Sequence, residues 1–440
     1  MTRITAFILL LAVYLIVNQY PFGHLTGVQG EMVLALGFVI LGGYLLGEIL
    51  AAFSFPRITG YLLAGMVLGP DVTAVISDES VDSLQLIDQI ALALIALTAG
   101  GELRLSSLAQ QWRSLTVISL SHTLFHVVLG SLAFLLLVAY LPFLQGFDYS
   151  ATLSAALIFG VIAISLSPAT AVAIITETRA KGPATDVALG VSIIIDIIVI
   201  ILFTIVITGI QTLTTDSQAG WQPFMMLFNK VFVSVAVGIA AGWIISLYLK
   251  HVQREPILFI LSFSYLVSVG AKSFYMDPVI LCVAAGIWVT NASKKGEELI
   301  QMIEQGSLLV YVIFFCVAGA ALDLNALQSM WLLAVLLVVA RMVIMALSTR
   351  AALWMSDFAM PSPWTYWLAF MPQAGVSLGL VAILAQQQFA WSADVQTLII
   401  ATIAINQLFG PIGMKYALQR SGETQEARKK AIRESAPAES

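Results

Sequence analysis

Two charged side chains stand where charge is hardest to keep. Asp196 lies near the middle of Gly190-Val-Ser-Ile-Ile-Ile-Asp-Ile-Ile-Val-Ile-Ile-Leu-Phe203, within an apolar run long enough to cross a bilayer, and Arg341 lies near the middle of another. A carboxylate at that depth costs roughly 2.5–3.5 kcal/mol on insertion scales, so it faces a cavity, an ion path or a partner. It can lose its charge by binding a proton or by binding a cation. A site that does only one at a time is the minimal device for exchanging the two. A buried acid held by a structural base is the competing reading. Arg341 cannot shed its proton and needs an anion or carbonyl oxygens. Two roles are open to it: offsetting carbonyls freed where a helix breaks, or pairing with Asp196 until a cation displaces it.

Hard monovalent cations prefer oxygen ligands. Ser192 lies one turn before Asp196 and shares its helix face. Ser165, Ser167 and Thr170 offer further hydroxyls, each of which can instead bond its own helix backbone. The expected shell is the Asp196 carboxylate, backbone carbonyls and one or two of these hydroxyls. The carbonyls come from helix breaks. Pro168 stands within Ile164-Ser-Leu-Ser-Pro-Ala-Thr-Ala-Val172, and Pro372, Gln373 and Gly375 stand within Phe370-Met-Pro-Gln-Ala-Gly-Val-Ser-Leu-Gly379. Proline removes a donor and clashes with the preceding turn, so both stretches should break or kink. Freed backbone groups survive at membrane depth only inside protein or beside a wet cavity. Two such breaks crossing would bring opposite helix-end partial charges to one point.

The elements that position these residues are apolar helices. Sixty per cent of the 440 residues are hydrophobic and ten per cent charged, a membrane composition. The net charge of −5 gives no nucleic-acid signal, and Cys282 and Cys316 lie in apolar runs that suggest neither disulfide nor metal cluster. No cofactor motif is present, so the expected ligands are the transported Na⁺ or K⁺ and H⁺. Fourteen hydrophobic segments can be drawn, at about 4–18, 31–53, 57–70, 83–101, 112–141, 150–176, 184–211, 221–250, 255–273, 277–291, 300–322, 329–355, 363–387 and 393–417. With residue 1 in the cytoplasm, seventeen of the twenty Lys and Arg fall in inside segments, Lys272 alone falls outside, and Lys230 and Arg341 fall within spans. That bias predicts an even number of spans with both termini cytoplasmic in a multi-pass cell (inner) membrane protein. The tail 419–440 reads as a short, charged, disordered cytoplasmic segment.

The chain also repeats itself. Ala99-Gly100-Gly101-Glu102-Leu103-Arg104-Leu105 recurs as Ala318-Gly319-Ala320-Ala321-Leu322-Asp323-Leu324 at an offset of 219, Trp112 and Trp331 follow at the same offset, and Pro56–Gly65 is echoed by Pro278–Gly286. Segments 2–7 then correspond to 9–14 with opposite orientation, the inverted repeat of secondary transporters, whose substrate site lies at the repeat interface. The fold class expected is an all-α polytopic membrane protein of about 14 transmembrane helices, with two inverted six-helix repeats and two broken crossing helices.

Other polar residues have plainer readings. His122 and His126 share a helix face, as a pH sensor or as a polar pair between packed helices. Glu48, Asp88 and Lys230 lie near span ends. The spacings Gly43/Gly47, Gly65/Gly69 and Gly238/Gly242 permit close helix approach, for packing or a dimer seam. Gly375-Val-Ser-Leu-Gly379 matches a nucleophile-elbow pattern, but in a membrane span rather than a strand–turn–helix, so an intramembrane protease using Ser377 is the enzyme-class rival and no enzyme is expected.

The stretches Phe55-Pro-Arg-Ile-Thr-Gly-Tyr-Leu-Leu-Ala-Gly-Met-Val-Leu-Gly-Pro70, Ala99–Leu105, Ser165-Leu-Ser-Pro-Ala-Thr170 and Ile195-Asp196 resemble the monovalent cation:proton antiporter superfamily, including Kef-type and sodium/proton exchangers, over roughly 31–418. The resemblance implies a homodimer in which a core slides against a dimerisation scaffold. It divides the chain into an extra N-terminal helix at 1–30, an exchanger domain at 31–418 and a tail. Its core covers about 83–211 and 300–417, and its scaffold about 31–70 and 221–291. The family's acid falls on Asp196 and its basic residue on Arg341. Before the acid, family members carry Asp, Asn or Gln; here stands Ile195. The implied function is antiport of Na⁺ or K⁺ against H⁺. A sodium-coupled symporter of an organic anion is the alternative.

Overall fold

The computed structural model describes the chain apart from residues 1–22, 141–147, 215–221, 252–255, 275, 294, 357, 359, 361, 374–375, 387–388, 390 and 436–440. The expected helix at 4–18 and Gly375 lie outside the described residues. Among those described, every regular element is helical. In chain order they are α1 (Gly23–Ala52), α2 (Arg57–Leu68), α3 (Asp78–Glu102), α4 (Leu105–Gln110), α5 (Trp112–Phe125), a π turn (His126–Gly130), α6 (Ser131–Leu137) and a 3₁₀ turn (Val138–Tyr140). Then come α7 (Tyr149–Ile162), α8 (Pro168–Thr178), α9 (Pro183–Thr214), α10 (Gln222–His251), α11 (Pro256–Ser273), α12 (Pro278–Asn291) and α13 (Gly296–Ala320). Last are α14 (Leu324–Ser356), a second 3₁₀ turn (Tyr366–Phe370), α15 (Val376–Gln386), α16 (Ser392–Arg420) and α17 (Gln425–Ser435).

Six of the described helices are long and apolar enough to cross a membrane, seven if the bent pair Gly296–Ile303 and Leu308–Ala320 is one span. That is fewer than the fourteen expected. The interrupted segments yield half-length helices such as α7, and α2 and α12 have only 12 and 14 residues. The tail departs from expectation too. Instead of disorder from 419, the chain turns at Gly422, whose φ is +81°, and re-forms α17. The Thr424 hydroxyl accepts from Ala427 N at 3.2 Å and starts that helix.

The chain divides into two compact units, the first comprising 1–104 and 230–322. Its helices approach through glycines. A Cβ on Gly65 would run into the Cys316 carbonyl, and one on Gly286 into the Leu97 carbonyl; Leu97 and Cys316 stand 219 residues apart. Likewise Gly100 sits on the Val283 carbonyl and Gly319 on that of Leu62. The glycine pairs noted in the sequence work the same way: Gly43 meets Cys316, Gly47 meets Tyr61, and Gly238 and Gly242 meet the Leu281 and Ala285 carbonyls. Charges near span ends are paired, Glu48 with Arg57 at 2.6 Å and Lys230 with Asp277 at 3.6 Å. Because α3 and α13 pack on α12 and α2, the division falls after Arg104 and after Leu322.

The second unit comprises 105–229 and 323–440. Asp148 caps α7 by accepting from Ala151 N at 3.0 Å. Within this unit α5 packs on α14, and α16 packs on α14 and on the second 3₁₀ turn. It contains every residue proposed above for the ion site.

Candidate functional site

Both proline stretches are broken. The first runs α7, then 163–167, then α8, with Pro168 at the opening of α8, where its missing N–H costs nothing. Ser167 is extended at φ −119°, ψ 95°, and its hydroxyl accepts from Thr170 N at 3.2 Å and meets the Thr170 hydroxyl at 2.9 Å. The second stretch runs from the Tyr366–Phe370 turn through Met371, Pro372 and Gln373 to α15. The two breaks touch. Gln373 Nε2 donates to the Ile162 carbonyl at 3.1 Å and to the Ser165 hydroxyl at 3.2 Å, and the hydroxyls of Ser165 and Ser377 are hydrogen-bonded.

Arg341, 3% exposed, sits at this crossing. Its Nε donates to the Ala163 carbonyl at 2.9 Å, Nη2 to the Ser165 carbonyl at 3.1 Å and Nη1 to the Met371 carbonyl at 3.1 Å. The guanidinium thus meets carbonyls at both breaks. The fork geometry of arginine suits this, and the partial negative charge at the end of α7 favours it. Asn406 completes the cluster: its Oδ1 accepts from Arg341 Nη1 at 3.5 Å and its Nδ2 donates to Gln373 Oε1 at 2.9 Å. Sequence reasoning passed over Asn406; its signal was the amide pair Asn406-Gln407 in an apolar span. Nearby, α16 approaches so closely that a Cβ on Gly410 would lie 2.5 Å from Pro372 Cα.

Asp196 is on α9 and 9% exposed. Its helix packs against α7, α8 and α15, which are both halves of the first interrupted segment and the second half of the other. Ile195 beside it is fully buried. The candidate hydroxyls are already engaged: Ser192 donates to the Leu189 carbonyl at 2.7 Å and Ser165 to the Ile162 carbonyl at 2.7 Å. Donating there leaves the Ser192 oxygen free to accept, whereas the Ser165 oxygen also accepts from Gln373 and Ser377 and has no lone pair left for a cation. His122 meets the Thr349 hydroxyl at 3.1 Å and lies edge-on to Phe370, while His126 Nδ1 is 2.8 Å from the His122 carbonyl. Ser377, the nucleophile of the rival reading, is bonded to Ser165, and His122 to Thr349.

The family described as "Sodium/hydrogen exchanger, transmembrane" matches residues 36–420. The chain belongs to the sodium/hydrogen exchanger family. Two structures of the sodium proton antiporter MjNhaP1 from Methanocaldococcus jannaschii share the exchanger fold. An electron-microscopy structure matches with a TM-score of 0.70 at 17% identity, covering 92% of this chain and 98% of that one. A structure at pH 8 matches with a TM-score of 0.64 at 19% identity, covering 91% and 99%. The exchanger is thus a multi-pass membrane transporter, with its crossing of broken helices inside the region that defines the family.

Proposed function

We propose that this exchanger moves Na⁺ or K⁺ against H⁺ across the cell membrane by alternating access, the two competing for Asp196. One observation carries the reading: a nearly buried carboxylate on the helix that packs against both broken segments. Protonated or cation-bound, Asp196 is neutral and its surroundings can move through the membrane. Empty and charged, it is held on one side by the cost of dragging a bare charge through a low-dielectric region. Coupling follows from that difference. The reciprocal contacts Gly65 to Cys316 and Gly286 to Leu97 support reading the halves as inverted repeats. The excess of Lys and Arg on one side supports two cytoplasmic termini. A homodimer completes the proposal.

The test is collapse of an imposed pH gradient in proteoliposomes on adding Na⁺, K⁺ or Li⁺ without an organic solute. Wild type should dissipate the gradient, and Asp196→Asn should reduce the rate to that of empty vesicles while the protein remains folded. Retained exchange in the variant rejects the assignment. A requirement for an organic anion would favour the symporter. With Ile195 apolar, a single carboxylate titrates at that turn, so one cation should exchange for one proton and clamping the membrane potential should leave the rate unchanged.

A further inference from the structure

The first turn of α9 has no cap of its own. It follows Gly182-Pro183, and Gly182, at φ +153°, has no side chain to accept from the free N–H groups of Ala184 and Thr185. The cap comes from more than two hundred residues away. The Glu423 carboxylate accepts from Ala184 N at 2.8 Å, Thr185 N at 2.7 Å and the Thr185 hydroxyl at 2.7 Å, and the Glu423 carbonyl accepts from Lys181 N at 3.0 Å. A Cβ on Gly182 would lie 2.5 Å from Glu423 Oε1, so the glycine is what lets the carboxylate in. Arg428 does the converse at the other helix end, donating to the carbonyls of Arg179 at 2.8 Å and Lys181 at 3.2 Å, just past the end of α8. An anion at one helix start and a cation at the other helix end both complement the helix dipoles. Two further ties hold the same corner: the Tyr366 hydroxyl donates to the Ala184 carbonyl at 2.7 Å, and Lys415 pairs with Glu177 at 3.2 Å.

These contacts join the second half of one broken segment, the turn preceding the other break and the helix that carries Asp196. We propose that Glu423 is a positioning residue for cation exchange, clamping the start of α9 and thereby setting where Asp196 stands, about 18 Å further along the helix. The segment after α16 is in this view part of the exchanger's working parts. The proposal rests on Asp196 being the ion site. Without the clamp the first turn of α9 frays and the α8–α9 connection lengthens. Asp196 then shifts relative to α8, on which its helix packs.

The experiment pairs transport with amide hydrogen exchange on the full-length protein in proteoliposomes, with Na⁺ as the probe. Glu423→Ala should raise the apparent KM for Na⁺ by roughly two- to tenfold, the range a charge at a helix terminus is worth. The maximal rate should stay within about twofold, and amides 183–186 should exchange faster. Glu423→Gln, which still accepts but without charge, should fall between. Gly182→Ala should copy the alanine variant with Glu423 intact. Should Glu423→Ala not reach the membrane, the glutamine variant decides. An unchanged KM together with unchanged protection overturns the proposal, and so does lost protection with unchanged KM. A wild type that moves no cation, with protection lost in the variants, overturns the antiport reading and leaves the clamp standing.

Discussion

Arg341 illustrates how one side chain makes two broken helices compatible. Its donors meet the Ala163, Ser165 and Met371 carbonyls, oxygens that lipid could not satisfy. Replacing it with Met should leave all three unmet at once. We expect a loss of roughly 2–4 kcal/mol, since an unsatisfied buried carbonyl costs ~1–3 kcal/mol and removing the guanidinium relieves its own burial. Lysine keeps the charge but lacks the fork, so Arg341→Lys should fall between. Thermal unfolding in detergent micelles measures both. A lysine variant less stable than the methionine one would contradict the carbonyl-bridging role. Asp196 makes the complementary point, being tested by transport rather than by stability.

At the scale of elements, the site depends on where helices stop. Ser167 ends the first break by capping α8, and Ser167→Ala should cost about 1 kcal/mol. The loss falls at the start of α8, which packs on the Asp196 helix, so it should also weaken cation affinity. Gly410 lets α16 rest on Pro372. Gly410→Val must push the second break aside, at about 1–3 kcal/mol. Its exchange rate should drop while the protein still folds, as judged by retained helical circular dichroism and residual pH-gradient collapse. Full activity in Gly410→Val would mean that the approach of α16 is incidental. The π turn at His126–Gly130 belongs at this scale as well. It leads into α6 beside Gly160, where a Cβ would strike the Ser131 hydroxyl.

Across the whole molecule, close glycine packing governs the first unit and a polar cluster governs the second. Cys282 and Cys316 report on that packing, since both are free and fully buried, the Cys316 thiol lying against Gly43 and Val39 of α1. Neither should react with a maleimide in folded protein, and Gly43→Leu should expose Cys316 by forcing α1 away from α13. Rapid labelling of wild type would show that this packing is not maintained in the membrane. The tail is the other feature of this scale, because Glu423 and Arg428 reach back to residues 179–185.

Membrane residence, the helical character of the described residues, two breaks at Pro168 and Pro372 and the burial of Asp196 and Arg341 were legible in the chain itself. Each rests on local chemistry: hydropathy over about 20 residues, a proline without a donor, a charge with no water. The offset of 219 was legible because like sequences repeat like contacts, as Leu97 and Cys316 do. What Arg341 bonds, that Asn406 joins it, and that α3 and α13 group with α2 and α12 were decided only by the tertiary structure. So was the capping of α9 by a glutamate from a tail that composition alone reads as disordered. Hydrogen bonds between residues hundreds of positions apart leave no periodic trace. A polar side chain looks the same in sequence whether it meets water, its own helix or a distant carbonyl, and only the folded chain chooses among them.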